Sequence, residues 1–375
     1  MKINLIGQIY GCMGIPNHTR DLFREICRQN KDTTIYPLSP NYDSYDLDGL
    51  RGNLADASWQ SKEEKLTGVT FIFWTPDIYP QLLRHIDREN SIIIGYPIFE
   101  WTTFTQAFRD GLNSVDYCAF SSTWAKDTAV SNGVVDSQTL VVPAGVNEAY
   151  LATGLDIASP RKFLFVAKYE KRKSVDECLQ SFYAKFPNGE AILDVLLTDP
   201  HDPKFSAEDT IEAIIGPNWR KTFNLIGKPS KISDMVSLYK AHRFILVPSK
   251  AGGTELPMIE AMACGCLPIA TNYGGMAHYL PDKYPFAVPV DMLIPMYDNR
   301  WYKPGIRWGQ WAQPDWLAFE RLLVEANGLR TEPWISYRAE LFIHIQENFR
   351  YSHIVRDLLK FMEDKYACKT NKSTA

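Results

Sequence analysis

The sequence predicts an α/β protein of two doubly wound parallel-sheet domains, and three observations carry that prediction. Short runs that are apolar on both faces recur along the chain, and each is followed by a stretch with helical spacing. The alternation occurs twice, on either side of a polar, irregular stretch at 147–161. Strands covered on both faces read as continuous apolar runs, and strand–helix alternation builds parallel sheets. A chain of 375 residues is also long enough for two cores. The boundaries expected are 1–155 for the first domain, 156–345 for the second and 346–375 for a last helix and tail.

In the first half the strand candidates are 3–6, 71–74, 91–95, 117–120 and 140–143. The second half supplies 163–167, 192–197, 223–226, 244–248 and 267–270. Between them lie amphipathic segments such as 21–28, where Leu22, Phe23, Ile26 and Cys27 fall on one helical face. From 291 to 314 the chain is rich in Trp, Tyr, Pro and Gly and shows no period. Helical stretches follow at 315–326 and 334–365, the last with Ile354, Leu358, Leu359 and Met362 in one stripe. The polar tail 368–375 is expected to fray.

Composition narrows the function classes. A net charge of −4 argues against non-specific nucleic-acid binding. No apolar run approaches the roughly 18 residues of a membrane span, and the first residues are too short for a signal peptide. The seven cysteines are scattered. Only Cys264 and Cys266 are close, with no partner at zinc-ligand spacing, so reduced thiols, no metal site and a cytoplasmic location are expected.

The segment 248–265, Pro-Ser-Lys-Ala-Gly-Gly-Thr-Glu-Leu-Pro-Met-Ile-Glu-Ala-Met-Ala-Cys-Gly, carries the most chemistry. It follows a strand candidate, passes Gly252 and Gly253, and opens a helix near Leu256, with Pro257 suited to the first turn. Such a turn at the carboxyl edge of a parallel sheet offers backbone N–H groups and a helix N-terminus to an anion such as a diphosphate. Glu260 stands among apolar neighbours, where a carboxylate needs hydrogen-bond donors. A ribose diol would supply two, and a neighbouring lysine or solvent would serve as well.

This segment resembles the signature of the family-four retaining glycosyltransferases of GT-B fold, Pro-Ser-x-x-Glu-Gly-Phe-Gly-Leu-Pro-x-x-Glu-Ala-Met-Ala-x-Gly-x-Pro-Val-Ile. Pro248, Ser249, Gly253, Leu256, Pro257, Glu260, Ala261, Met262, Ala263, Gly265, Pro268 and Ile269 match it. The resemblance implies two Rossmann-like domains facing across a cleft, with the donor nucleotide on the C-terminal one. It gives Glu260 the ribose. The family's first Glu, which contacts the donor sugar, falls at Gly252, so either Glu255 or backbone amides of Gly253 and Thr254 inherit that contact, or the donor sugar is held in an unusual way.

Residues 163–174, Phe-Leu-Phe-Val-Ala-Lys-Tyr-Glu-Lys-Arg-Lys-Ser, resemble the family's strand and Gly-Arg…Lys-Gly turn. That maps the diphosphate cations onto Lys168 and Lys173, with Ala167 and Ser174 in place of glycines. A leaving diphosphate needs positive charge near its oxygens, while Lys171 and Arg172 read as a solvated charge run. In the first half, Gly11 and Gly14 occupy the place of the family's glycine loop, near donor or acceptor. Glu100, in Tyr-Pro-Ile-Phe-Glu-Trp at 96–101, stands where relatives carry a histidine and becomes a candidate sugar or acceptor contact. The segments 120–126 and 142–147 match the family's strand-end serines and a structural Pro-x-Gly-Val loop. Asn-Tyr-Gly-Gly at 272–275 matches its Gly-Gly turn, expected near the donor.

The implied activity is hexosyl transfer from a nucleoside diphosphate sugar, UDP-sugar favoured and GDP-sugar the alternative, to an acceptor hydroxyl with retention. No metal and no cofactor beyond the sugar nucleotide is implied. The acceptor is left open among a glycan, a small molecule and a hydroxymethylated DNA base. Gly252 keeps a non-catalytic sugar-nucleotide binder as a further alternative. The segment 298–316 matches nothing in the family.

Overall fold

The computed structural model describes residues 1–11, 14–39, 47–56, 58–151, 161–229, 231–298, 300–302 and 305–373. It divides into two compact units, one of Met1–Gly145 with Phe349–Ala375, the other of Val146–Asn348. Part of the linker stretch expected at 147–161 lies outside the described residues.

The strands of the first unit are β1 (Ile3–Gly7), β2 (Thr33–Pro37), β3 (Leu66–Phe73), β4 (Ile86–Gly95), β5 (Tyr117–Phe120) and β6 (Thr139–Val141). They form one parallel sheet in the order β2-β1-β3-β4-β5-β6. Its helices are α1 (Gly14–Gln29), α2 (Tyr79–Leu82), α3 (Gln106–Asn113) and α4 (Thr123–Ser131). Ser122 caps α4 by accepting the Ala125 N–H at 3.1 Å, which gives the strand-end serine a structural task. One face of the sheet packs on α1 and on the final helix through Leu5, Phe23, Phe71, Val355 and Met362. An aromatic cluster of Phe99, Phe104, Phe108 and Phe120 fills the other.

The second unit opens with α5 (Glu148–Leu151) and repeats the plan with β7 (Arg161–Lys168), α6 (Val175–Lys185), β8 (Leu193–Thr198), α7 (Ala207–Ile215), β9 (Phe223–Leu225) and α8 (Ile232–Lys240). Then come β10 (His242–Val247), α9 (Leu256–Ala263), β11 (Leu267–Thr271), α10 (Gly274–Ala277) and β12 (Ala287–Val288). The sheet order is β12-β11-β10-β7-β8-β9, again parallel. Phe163 and Phe244 stack at 5.8 Å in its core. His242 is buried there, its ring nitrogens 2.7 Å from the Leu238 carbonyl and 2.9 Å from Asp194.

The aromatic stretch without a period is an antiparallel hairpin, β13 (Val290–Pro295) and β14 (Gln310–Pro314). After it come α11 (Trp316–Gly328), α12 (Thr331–Asn348) and α13 (Tyr351–Ser373). One expectation needs correction here: the helical stretch 334–365 is two helices, broken at 349–350. The second of them, α13, continues to Ser373, and Lys369 on it donates to the carbonyls of Arg88 at 2.8 Å and Ser91 at 2.6 Å. Among the described residues, no helix is long and apolar enough to cross a membrane.

Candidate functional site

In the second sheet β7 leads to β8 and β9 on one side, while β10, β11 and β12 lie on the other. The strand order therefore reverses between β7 and β10, and the crevice beyond their carboxyl ends is where ligands of doubly wound sheets bind. The two turns that leave these strands meet there. The Lys250 N–H donates to the Arg172 carbonyl at 2.7 Å, and Arg172 Nη1 donates to the Ala251 carbonyl at 3.3 Å.

The side chains at this junction form a network of ion pairs. Lys173 Nζ is hydrogen-bonded to Glu255 Oε1, and Arg172 Nη1 lies 3.9 Å from the same oxygen. Arg172 also pairs with Glu170 at 2.7 Å, and Lys168 reaches Glu170 at 3.2 Å. Arg172 is only 14% exposed, so it is not the solvated charge expected from the sequence. It bridges the two turns. Lys171 does reach solvent. Burial alone would raise the Glu170 pKa, but the Arg172, Lys168 and Lys173 cations outweigh it and hold the carboxyl down at about 2. Burial, then the Arg172 charge, lowers the Lys173 pKa, with Glu255 and Glu170 opposing.

The backbone explains how the cations are aimed. Ser174 takes the left-handed conformation (φ 52°, ψ 41°) between the Lys171–Lys173 turn and α6. Glycine enters that region freely, and any other residue does so at a cost. On the other turn, Gly275 is pressed against the loop. A Cβ there would lie 2.0 Å from the Gly253 carbonyl oxygen, and the Gly275 N–H donates to the Gly252 carbonyl at 2.9 Å. The Gly-Gly turn thus packs on the loop 252–253 itself.

Glu255 is buried and precedes α9 without capping it (φ −105°, ψ 80°). Its carboxylate turns back instead, and a Cβ built on Gly252 would meet Glu255 Oε1 at 2.7 Å. The oxygen therefore stands where a side chain of residue 252 would begin. Gly253 is buried, Leu256 begins α9, and the buried Thr254 Oγ1 has no hydrogen-bond partner. Glu260, on α9, accepts from the Tyr239 hydroxyl of α8 at 3.1 Å, so the protein supplies one of the donors its apolar surroundings demand. Burial first, and then the Glu260 charge, pushes the Tyr239 pKa well up.

Residues 160–295 match the family described as glycosyl transferases group 1. The match covers the second unit from β7 to β13 and is a resemblance of that region to the family. The whole chain resembles solved structures in fold. HepE of Anabaena with UDP superposes with a TM-score of 0.65 at 13% identity, over 97% of this chain and 100% of that one. An E. coli trehalose-6-phosphate structure bound with UDP-2-fluoro glucose gives 0.67 at 10% identity, over 96% and 99%. S. aureus TarM with fondaparinux, alpha-GlcNAc-glycerol and UDP gives 0.58 at 10% identity, over 78% of this chain; the chain spans 55% of TarM. No curated protein is matched by sequence. Two parallel sheets of this order are the GT-B fold.

Within the matched residues, Lys173, Glu255, Gly252 and Gly253 come together, and Lys168 joins them through Glu170 and Arg172. Sequence reasoning missed Glu170 and Arg172. The buried partner of a charge run is set by the turn at Ser174, which a one-dimensional pattern does not reveal. An open cavity of about 280 Å³ lies beside this turn, lined by Tyr169, Glu170, Lys171, Val175, Asp176 and Glu177. Its three carboxylates make it unsuited to a diphosphate. Among the described residues, no group of three His, Cys, Asp or Glu side chains is placed to hold a metal ion.

The remaining candidates belong to the first unit. Glu100 is half-buried in the loop after β4, between the buried Phe99 and the half-buried Trp101. Gly11 has φ 120°, and its carbonyl, like that of Ile9, accepts from Arg20 at 2.7 Å. Gly14 begins α1 and is exposed.

Proposed function

We propose that this glycosyltransferase moves a hexosyl group from a UDP-sugar to an acceptor hydroxyl with retention of configuration and without a metal ion. The reading rests on one observation: Lys173 and Arg172 converge with Glu255 at the switch point between β7 and β10. Lys168 and Lys173 supply the positive charge that a departing diphosphate needs. Backbone N–H groups of Gly253 and Thr254, with the first turn of α9 at Leu256, offer further donors.

Glu255 takes the donor sugar in place of the carboxylate that Gly252 lacks, its oxygen already standing over that Cα. Glu260 receives the ribose diol alongside the Tyr239 hydroxyl. The diphosphate accepts the acceptor's proton on the face from which it departs, so no protein nucleophile is assigned. Gly11, Gly14 and Glu100 remain candidate donor or acceptor contacts on the first unit. UDP is the preferred nucleotide because HepE and TarM were each crystallised with it.

A thermal-shift panel of UDP-, GDP-, ADP- and TDP-sugars tests the donor assignment. At about 100 Kd a ligand stabilises the folded state by ~2.7 kcal/mol, so the UDP-sugars should raise Tm most. A panel in which none raises Tm overturns the reading. Release of UDP from the best donor in EDTA tests metal independence.

A further inference from the structure

The hairpin β13–β14 has no part in the donor reading, and the family match ends at 295, where its connecting loop begins. Several described residues of that loop are held by specific bonds. The buried Asp298 carboxylate accepts from the backbone N–H groups of Arg300 at 2.8 Å, Trp301 at 2.5 Å and Tyr302 at 2.9 Å. Arg300 then grips Asp199 with two bonds of 2.8 Å. Asp199 directly follows β8, whose Thr198 pairs in register with Lys168 at the end of β7. Lys171 Nζ sits 4.9 Å from the Tyr297 ring centroid, so the loop also touches the turn that carries Lys173. Tyr302 packs edge-to-face on the fully buried Trp311, which ties the loop into the core.

On this frame Trp301 stays 48% exposed and Tyr297 41% exposed. Trp301 meets the His201 ring edge-to-face at 5.0 Å. An indole held in water by a capped turn and a bidentate anchor serves no core. A fixed aromatic ring does offer large contact area at low entropic cost, with an apolar face and a polar edge. A pyranose presents the matching surface, an apolar C–H face rimmed by hydroxyls. Nucleic acid fits poorly, because Arg300 is neutralised by Asp199 and the chain carries a net charge of −4.

We propose that Trp301, with His201 against its ring, is a stacking platform for a pyranose ring of the acceptor at the β7–β8 edge. The word acceptor rests on the donor-site reading above; the platform itself does not. The test compares wild type, Trp301→Ala and Trp301→Phe. UDP affinity is measured by calorimetry. Saturation-transfer NMR follows the binding of the methyl glycosides of glucose, galactose, mannose and N-acetylglucosamine, with and without UDP.

At least one glycoside should bind wild type. Trp301→Ala should weaken it by at least about fivefold, Trp301→Phe should retain most of the binding, and UDP affinity should stay within about twofold. Three results overturn the platform: no glycoside binds wild type, Trp301→Ala binds as wild type does, or Trp301→Ala loses UDP affinity by about tenfold, which would assign the ring to the nucleoside. If wild type binds a glycoside through Trp301 but does not bind UDP, the platform stands and the donor reading falls.

Discussion

Both sheets reverse their strand order beside the first strand of the unit, between β1 and β3 in one and between β7 and β10 in the other. At the first edge Arg20 spends its guanidinium on the carbonyls of Ile9 and Gly11. Below it the buried His18 lies among Phe73, Tyr96 and Tyr351, and its Nε2 has no hydrogen-bond partner. At the second edge Lys168, Arg172 and Lys173 converge on Glu170 and Glu255. The same topology thus produces one edge whose cation is absorbed by the carbonyls of its own loop and one edge dense in paired cations and carboxylates. Fold places the turn, and the residues on it decide whether an anion is wanted there.

The largest effect that can break this contrast belongs to Lys173→Ala. It leaves Glu255 buried without its closest cation, which costs about 3–5 kcal/mol of stability. On the proposed mechanism it also removes charge stabilisation from the leaving diphosphate, so turnover should fall by about 10²–10³. Adding Glu255→Gln should restore much of the stability and none of the turnover. Urea titrations and steady-state kinetics on both proteins check this. Rescue of turnover by the second substitution would reduce the pair to a structural salt bridge.

The first edge should reveal itself through pH instead. Burial lowers the His18 pKa from 6.5 to about 3. Between those values the unfolded chain binds a proton that the folded chain refuses, so stability falls as pH falls through this window. The slope is about 1.4 kcal/mol per pH unit. His18→Phe should flatten that part of the urea-unfolding profile and leave UDP binding unchanged. Equal slopes in the two proteins would mean that His18 takes up its proton in the folded state.

Glu260→Ala should weaken UDP binding by about 1–3 kcal/mol, the worth of charge-assisted hydrogen bonds to the ribose. Tyr239→Phe is the control, because it removes the Tyr239 hydrogen bond and keeps the carboxylate. Calorimetry showing unchanged UDP affinity in a folded Glu260→Ala protein would return Glu260 to a structural pairing with Tyr239.

How much of this could be read without coordinates depended on how local the causes were. β7, β10 and α9 were legible because each is a continuous apolar run or a short strand–loop–helix pattern. β2 was not, since Thr33–Pro37 alternates over too few residues to register and is half-buried. Hairpin β13–β14 escaped because the consecutive residues Met292 and Leu293, on opposite faces of β13, are both apolar and both exposed, so no alternation marks the strand. In the site, Lys173 and Glu255 are 82 positions apart, and Arg172 becomes a bridge only because Ser174 turns left-handed behind it. The motif could indicate a missing carboxylate at Gly252. It could not say that Glu255 would bend back to cover it.

That last point gives the smallest and sharpest test. Were Glu255 only a favourable charge at the start of α9, Glu255→Gln would cost ~0.3–1 kcal/mol of salt-sensitive stability and leave transfer intact. The geometry is unlike that of a helix-end charge: the side chain makes no cap hydrogen bond, and its oxygen lies against Gly252 and Lys173. If the carboxylate holds the donor sugar, Glu255→Gln should depress transfer by at least about tenfold, or ~1.4 kcal/mol of transition-state stabilisation. UDP affinity should hold or tighten, because Lys173 no longer shares its charge with a carboxylate. A single titration separates the two halves of the claim. Slower transfer with UDP binding intact places Glu255 on the sugar, whereas wild-type turnover would leave the sugar contact to the amides of Gly253 and Thr254.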